Sequence, residues 1–427
     1  MNGAWAQIAE TSAARIFGLM TGLLSLFITA RVLGPEAQGI LAATIAWIRM
    51  FASFAGLSLG QVAQHRFHAY RKEDWFPRSL GTLLVVSGIS TFLTLAVVLV
   101  VQGASGCAFL RGIPTAVLTI GMLMVPFLIW EEYGSSLLAL SSGLRKYNVA
   151  QFIGRTAGLA VLVILIVILD GKLIGAVIAT VSGQVILAVI CLWTLVSMAP
   201  SKLLFDRAEA KSLLSGSARL HLNTIGSFLL AQSTILMLNQ MATPEDVGWY
   251  ALAFQTVSVL LIIPQAATLV LYSRMAEQGP DGIWPEQKKI ILRMMGFLTV
   301  LTVGAYFAAP GLVLLAGNAF TPSVDLFRML LPVPLGMSLA QLMTNQWIGR
   351  GFFLTTTTLT LGTALLNILL NYLLIPQFGV RGAVWSMIGV YAGLAVAVQL
   401  SFALWCEKQG EKHEQEKTGP LSGSDCR

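Results

Sequence analysis

Four arginines, Arg15, Arg49, Arg155 and Arg219, and one acidic pair, Glu131 and Glu132, fall inside long apolar runs of this 427-residue chain. An ionised side chain at such a position costs several kcal/mol unless it faces a wet cavity or a partner, so each marks a candidate site. Arginine brings a planar fork of donors that holds phosphate oxygens through two hydrogen bonds, and the chemistry implied is recognition of an anion. Arg49 stands ten residues into its run, roughly 15 Å along a helix and too deep to reach the interface easily. Ser53, Gly56, Gly60 and Gln64 follow it at steps of three and four, a polar or small stripe suited to a cavity wall. A structural ion pair is the competing reading of Arg49.

Arg219 lies nearer the start of its run, with His221 beside it and Asn223 and Ser227 following at helical spacing. Arg155 stands at a similar depth and Arg15 about one turn into the first run, where each either lines the mouth of a cavity or anchors at the interface. Glu131 and Glu132 read in three ways: as a proton- or cation-coupling site, as partners of Arg155 or Arg15, or as an aromatic-belt position between Trp130 and Tyr133. Ser338, Gln341 and Asn345 share one helix face, and Thr363, Asn367 and Asn371 another. Contact with sugar hydroxyls and interhelical hydrogen bonding are both open to them, the second being the commoner use. Pro126, Pro264, Pro332 and Pro334 stand within runs and are candidate bending points.

The elements that must position these groups follow from composition. Hydrophobic residues make up 56% of the chain, charged residues 11%, and the mean hydropathy is +0.76, values that belong to a chain whose solvent is a bilayer. About twelve runs reach the roughly 20 residues needed to cross a 30 Å hydrocarbon core. They cover residues 12–33, 39–62, 80–101, 113–141, 149–169, 173–197, 213–241, 247–273, 290–309, 325–348, 353–375 and 380–405. Basic residues gather on alternate turns, among them Arg66, Arg71, Lys72, Arg145, Lys146, Lys202, Arg207, Lys211, Lys288, Lys289 and Arg350, while the opposite turns hold Arg31, Arg111, Lys172, Arg328 and Arg381. The positive-inside rule then puts both termini in the cytoplasm. The net charge of +7 reports this topology and attraction to anionic lipid, and no nucleic-acid partner is expected.

A self-comparison divides the chain. Pro35-Glu36-Ala37-Gln38-Gly39 reappears as Pro244-Glu245-Asp246-Val247-Gly248, Gly175-Ala176-Val177 as Gly382-Ala383-Val384, and the GLRKY turn near residue 143 faces GRGFF near 349. Three marks at nearly one offset predict two six-helix parallel repeats: a lobe over 1–199, a cytoplasmic linker over 200–212, a second lobe over 213–405 and a disordered tail over 406–427. In each Pro-Glu turn, proline stops one helix, the acid starts the next and glycine gives the backbone a tight entry. Cys107, Cys191, Cys406 and Cys426 have no metal-like spacing, so neither a metal nor another cofactor is expected.

The RVLGPEAQG turn, GLRKYNVAQ, LVLLAGNAFTPSVDLFRMLLP and NILLNYLLIPQFGVRGAVWS together resemble the Wzx-type polysaccharide or O-antigen flippases of the multidrug, oligosaccharidyl-lipid and polysaccharide (MOP) exporter superfamily. The resemblance implies an all-α integral membrane protein, a V-shaped alternating-access transporter of the bacterial inner membrane. It implies a cargo of undecaprenyl-pyrophosphate-linked oligosaccharide for O-antigen, capsule or exopolysaccharide synthesis, with the polymerase and chain-length machinery as candidate partners. A cation-coupled multidrug exporter of the same superfamily is the alternative, but it would want an acidic and aromatic cavity rather than arginines. A membrane glycosyltransferase or polymerase would need a large aqueous loop bearing carboxylates or metal ligands, which the sequence lacks, so no enzyme is expected.

Overall fold

The computed structural model describes residues 2–67, 75–105, 110, 112–140, 143–199 and 202–418; Arg71, Lys72, Arg111, Cys107 and Cys426 lie outside these. Among the described residues every regular element is helical, as a bilayer demands of backbone amides that have no water to bind. The helices are α1 (Asn2–Gly56), α2 (Leu59–Phe67), α3 (Trp75–Ser105), α4 (Thr115–Met122), α5 (Val125–Leu140), α6 (Leu144–Leu162), α7 (Lys172–Ser197) and α8 (Arg207–Met241). There follow α9 (Pro244–Val257), α10 (Ile262–Ala308), α11 (Gly311–Ala316), α12 (Thr321–Leu330), α13 (Pro332–Gly349), α14 (Phe353–Phe378), α15 (Val380–Met387) and α16 (Val396–Thr418).

Nine helical stretches among the described residues are long and apolar enough to cross a membrane, ten if the pair Asn318–Leu330 and Pro332–Gly349, bent by 46°, is one span. The difference from twelve runs has two physical causes. The first two runs are counted as one stretch, although Gly34 (φ 77°, ψ 175°) interrupts it. Arg155 shows that the two arms fold back at this point: its side chain lies across Gly18 and faces Arg49, positions 31 residues apart, about 46 Å along a straight helix. The second cause is α8, where His221, Asn223, Gln232, Asn239 and Gln240 are spread through the later turns and leave no stretch apolar enough to count.

The repeated Pro-Glu turns do something other than the expected tight entry. Pro244 occupies the first turn of α9 behind Thr243, whose side chain and that of Asp246 form a reciprocal capping box. The glycines sit in ordinary helix and serve contact instead: a methyl at Gly39 would overlap the Pro244 carbonyl, and one at Gly248 the Pro35 carbonyl. Each turn is thus docked on the other, and the second arm of α1 packs closely along α9. This will be called the turn end; the opposite end, with Arg66 and Lys288, is the basic end.

The largest buried cluster runs through both halves of the chain, from Leu41 and Trp47 to Met387 and Tyr391. A second, around Trp347, Phe402 and Cys406, fills the basic end of the C-terminal half. Side chains such as Phe92, Val300 and Leu314 are exposed around the outside, the surface a lipid solvent would cover. α16 continues to Thr418, past residue 406 where a disordered tail was expected, and its Glu407 pairs with Lys288. Glu, Gln and Lys are good helix formers, and the stop signal, Gly419-Pro420, comes only afterwards.

Candidate functional site

A cavity of about 250 Å³ opens between both arms of α1 and the helices α6 and α7. Arg49, Glu131 and Arg155 all line it, so three of the groups picked from the sequence meet in one place. Arg49 comes from the second arm of α1, is water-accessible, and feels the charges of both Glu131 and Arg155. Arg155 comes from α6 and also stays accessible; its arm rests on the first arm of α1, where a methyl at Gly18 would lie 2.9 Å from Nε. Glu131, from α5, accepts a hydrogen bond from Gln184 Nε2 of α7 at 2.7 Å. Two guanidinium groups therefore face one carboxylate that is held by a neutral amide, a cluster with a surplus of positive charge.

Glu132 points elsewhere. Its Oε2 reaches the backbone at Gly56, where a methyl would lie 3.0 Å away, and its buried Oε1 has no hydrogen-bond partner. Neither carboxylate makes a direct ion pair with a described residue. The aromatic-belt reading fails as well, because Trp130 and Tyr133 are buried in the core, packed edge to face at 5.4 Å. The stripe that follows Arg49 does not extend the cavity. Leu57 and Ser58 adopt left-handed backbone (φ 51° and 53°), which breaks the helix and turns Gly60 onto the backbone of Tyr133.

That break is held by side chains. Tyr133 Oη donates to the Gly56 carbonyl at 2.8 Å, and the hydroxyls of Ser90 and Ser217 donate to those of Ala55 and Leu57. Ser58 Oγ in turn donates to Thr224 Oγ1 at 2.9 Å and lies 3.2 Å from His221 Nδ1. His221 thus belongs to a contact between α8 and the break, not to the cavity wall. Further toward the basic end, Glu209 of α8 pairs with Arg66 at 3.2 Å and accepts from Trp75 Nε1 at 3.2 Å. The N-terminal and C-terminal halves are therefore fastened at both ends of the bundle.

Of the other residues chosen from the sequence, Arg15 and Asn223 are exposed and line no part of the cavity; the side chain of Arg219 lies outside what the structure describes. Ser338 and Asn345 are buried, and Asn345 Nδ2 donates to the Thr268 carbonyl at 3.0 Å, the interhelical use. Sequence reasoning missed Gln184, Gln38 and Gln255, and the hydroxyl row Thr21, Ser25 and Thr29, which also line the cavity. The row was readable as steps of four along the first run; nothing in the sequence alone reports that α7 brings Gln184 to Glu131.

The family model described as "Polysaccharide biosynthesis protein" matches residues 4–279. Among solved structures the chain is similar to the lipid II flippase MurJ in an inward closed conformation, with a TM-score of 0.74 at 13% identity over 93% of this chain and 87% of that one. It is also similar to a multidrug resistance MATE family transporter of the MOP superfamily, with a TM-score of 0.72 for the inward-facing conformation at 15% identity over 95% and 96% of the two chains. For the outward-facing conformation the values are 0.67, 16%, and 96% of each chain. The fold is shared by these transporters. No curated protein matches in sequence.

Proposed function

Because the chain belongs to the polysaccharide biosynthesis protein family, we propose that it is a flippase that carries a lipid-linked oligosaccharide across the bacterial inner membrane, with undecaprenyl pyrophosphate as the lipid carrier. The observation that carries this reading is the cavity in which Arg49 and Arg155 face one carboxylate. A pyrophosphate offers two linked groups of acceptor oxygens, the complement of two guanidinium forks. MurJ, whose fold is similar, is a lipid II flippase. The alternative, a multidrug exporter, is disfavoured by the same cavity, since a surplus of positive charge repels cationic drugs.

In this reading residues 1–199 and 213–405 are two lobes joined by 200–212. The docked turns at Gly39 and Gly248 close the periplasmic end, and the Ser58–His221 and Arg66–Glu209 contacts close the cytoplasmic end. Both termini are cytoplasmic. Alternating access consists of releasing one set of contacts while keeping the other. The assay is complementation of polymer export: Arg49→Ala is expected to abolish it at normal protein level, with lipid-linked oligosaccharide accumulating on the cytoplasmic leaflet. A fully active, well-expressed Arg49→Ala protein sinks the proposal.

A further inference from the structure

The cavity is chemically polarised. At one end stand the donors: Arg155, lying on Gly18, and Arg49. At the other the wall offers acceptors. Thr21, Ser25 and Thr29 line the cavity from the first arm of α1, in a row that starts beside Gly18 and runs to Thr29 at the turn end, and each donates its hydroxyl hydrogen to a carbonyl of its own helix, at 2.9 to 3.1 Å. Thr180 of α7 does the same, donating to the Ala176 carbonyl at 2.9 Å. What these hydroxyls still present to the cavity is lone pairs. Gln38, from the second arm of α1, is 3% exposed, lines the same cavity, and its Oε1 has no hydrogen-bond partner. A buried amide oxygen left unpaired is destabilising, and one that borders a cavity is relieved when a donor arrives.

The positions along α1 give the polarity a direction. Measured from the break at Gly34, Thr29 and Gln38 are five and four residues away on the two arms, while Gly18 and Arg49 are sixteen and fifteen away. At the helical rise this separates the acceptor level from the arginine level by about 16 Å. A ligand that satisfies both levels carries acceptor oxygens at one end and hydroxyl or amide donors at the other.

We infer that Gln38, with the hydroxyls of Ser25 and Thr29, forms a sugar subsite that receives the glycan residue attached to the pyrophosphate, so that the cargo lies with its phosphates at Arg49 and Arg155 and its sugar toward the turn end. The inference rests on the headgroup reading of the two arginines and adds an orientation and a recognition element to it. At about 250 Å³ the cavity is smaller than a typical drug-sized site, so the subsite takes the first sugar and not the whole repeat. The docking of Gly39 and Gly248 just beyond Gln38 then bounds the glycan side.

The test uses the full chain in lipid nanodiscs and two probes, geranyl pyrophosphate and geranyl pyrophosphate carrying one N-acetylhexosamine, with Kd read for each. The wild type is expected to bind the sugar-bearing probe about tenfold more tightly, the worth of one or two satisfied hydrogen bonds. Gln38→Leu, close in volume and apolar, should bring that ratio near one while leaving the affinity for geranyl pyrophosphate unchanged; Thr29→Val should lower it part of the way. Arg49→Ala should weaken both probes alike. Equal affinities for the two probes in the wild type, or a Gln38→Leu protein of wild-type thermal stability that keeps the tenfold ratio, overturns the sugar subsite and leaves the headgroup reading standing. If neither probe binds the wild type, the headgroup reading fails and the subsite with it.

Discussion

Two polar clusters, one in each half of the molecule, are built in opposite ways. In the N-terminal half, Arg49, Glu131 and Arg155 converge on a cavity, both arginines are accessible, and of the three only Glu131 is hydrogen-bonded among the described residues, by Gln184. In the C-terminal half, Asn367 is fully buried and paired on every side: its Nδ2 donates to Ser233 Oγ at 3.0 Å and Thr234 Oγ1 at 3.2 Å, and its Oδ1 accepts from Ser386 Oγ at 2.9 Å. Asn371 Nδ2 joins the group at 3.1 Å from Thr234 Oγ1. These bonds tie α8, α14 and α15 together. Polar side chains that satisfy one another inside a membrane are glue; charged ones kept accessible in a cavity are open to a ligand, the role proposed for them above.

The contrast breaks most completely if both arginines are removed. Arg49→Ala combined with Arg155→Ala should eliminate polymer export, a loss of at least 100-fold, since each charge-assisted hydrogen bond is worth about 1.5–3 kcal/mol. Protein abundance should stay near normal, because both arginines are accessible and neither forms an ion pair with a described residue. Arg49→Lys keeps the charge and loses the fork, and is expected to retain roughly a tenth of wild-type transport. A lysine variant as dead as the alanine one, in protein of normal abundance, would locate the requirement in geometry alone.

The C-terminal network should respond in the other currency. Asn367→Ala leaves Ser233, Thr234 and Ser386 without their shared partner, and interhelical hydrogen bonds in membranes average about 0.6 kcal/mol with a maximum near 1.7. The expected outcome is a loss of about 1–2 kcal/mol in stability, seen as a lower thermal midpoint in detergent, with transport per folded molecule unchanged. If the variant is stable and inactive, the network does more than join helices, and the line drawn between the two halves is wrong.

How far the sequence goes is set by which interactions are local. Helices were legible because a span needs its own unbroken apolar run, and Arg49 was legible because a charge inside such a run is conspicuous by itself. The docking of the two Pro-Glu turns was half legible: the repeat of Pro35 to Gly39 at Pro244 to Gly248 is plain, but that each glycine admits the other turn's carbonyl appears only when α1 and α9 are side by side. The break at Leu57 and Ser58 was barely legible. Gly56 and Gly60 flank it, but the left-handed residues are themselves not glycines, and what holds them is hydroxyls from Tyr133, Ser90 and Ser217, on three other helices. The same limit hid the partners of His221 and Glu131, whose roles depend on which helix stands opposite.

The smallest expected effect, and the one that sharpens the comparison most, is at Glu131. Glu131→Gln keeps an oxygen in place to accept from Gln184 Nε2 and removes only the charge. If the carboxylate is the resting counter-ion of Arg49 and Arg155, its loss frees both for an anionic headgroup, and the affinity for geranyl pyrophosphate should rise by about three- to tenfold, the scale of one charge acting across a wet cavity. Transport should change little, or slow slightly as the cargo leaves less readily. A proton-coupling carboxylate predicts the reverse: unchanged headgroup affinity, a fall in turnover, and a rate that no longer depends on pH. Glu132→Gln serves as the control, since its carboxyl faces Gly56 rather than the cavity, and it should leave headgroup affinity alone. Should Glu131→Gln weaken binding, the carboxylate would be holding the arginines in their receptive geometry instead of competing for them, and the N-terminal cavity would be closer to the paired network of the C-terminal half than its accessible charges suggest.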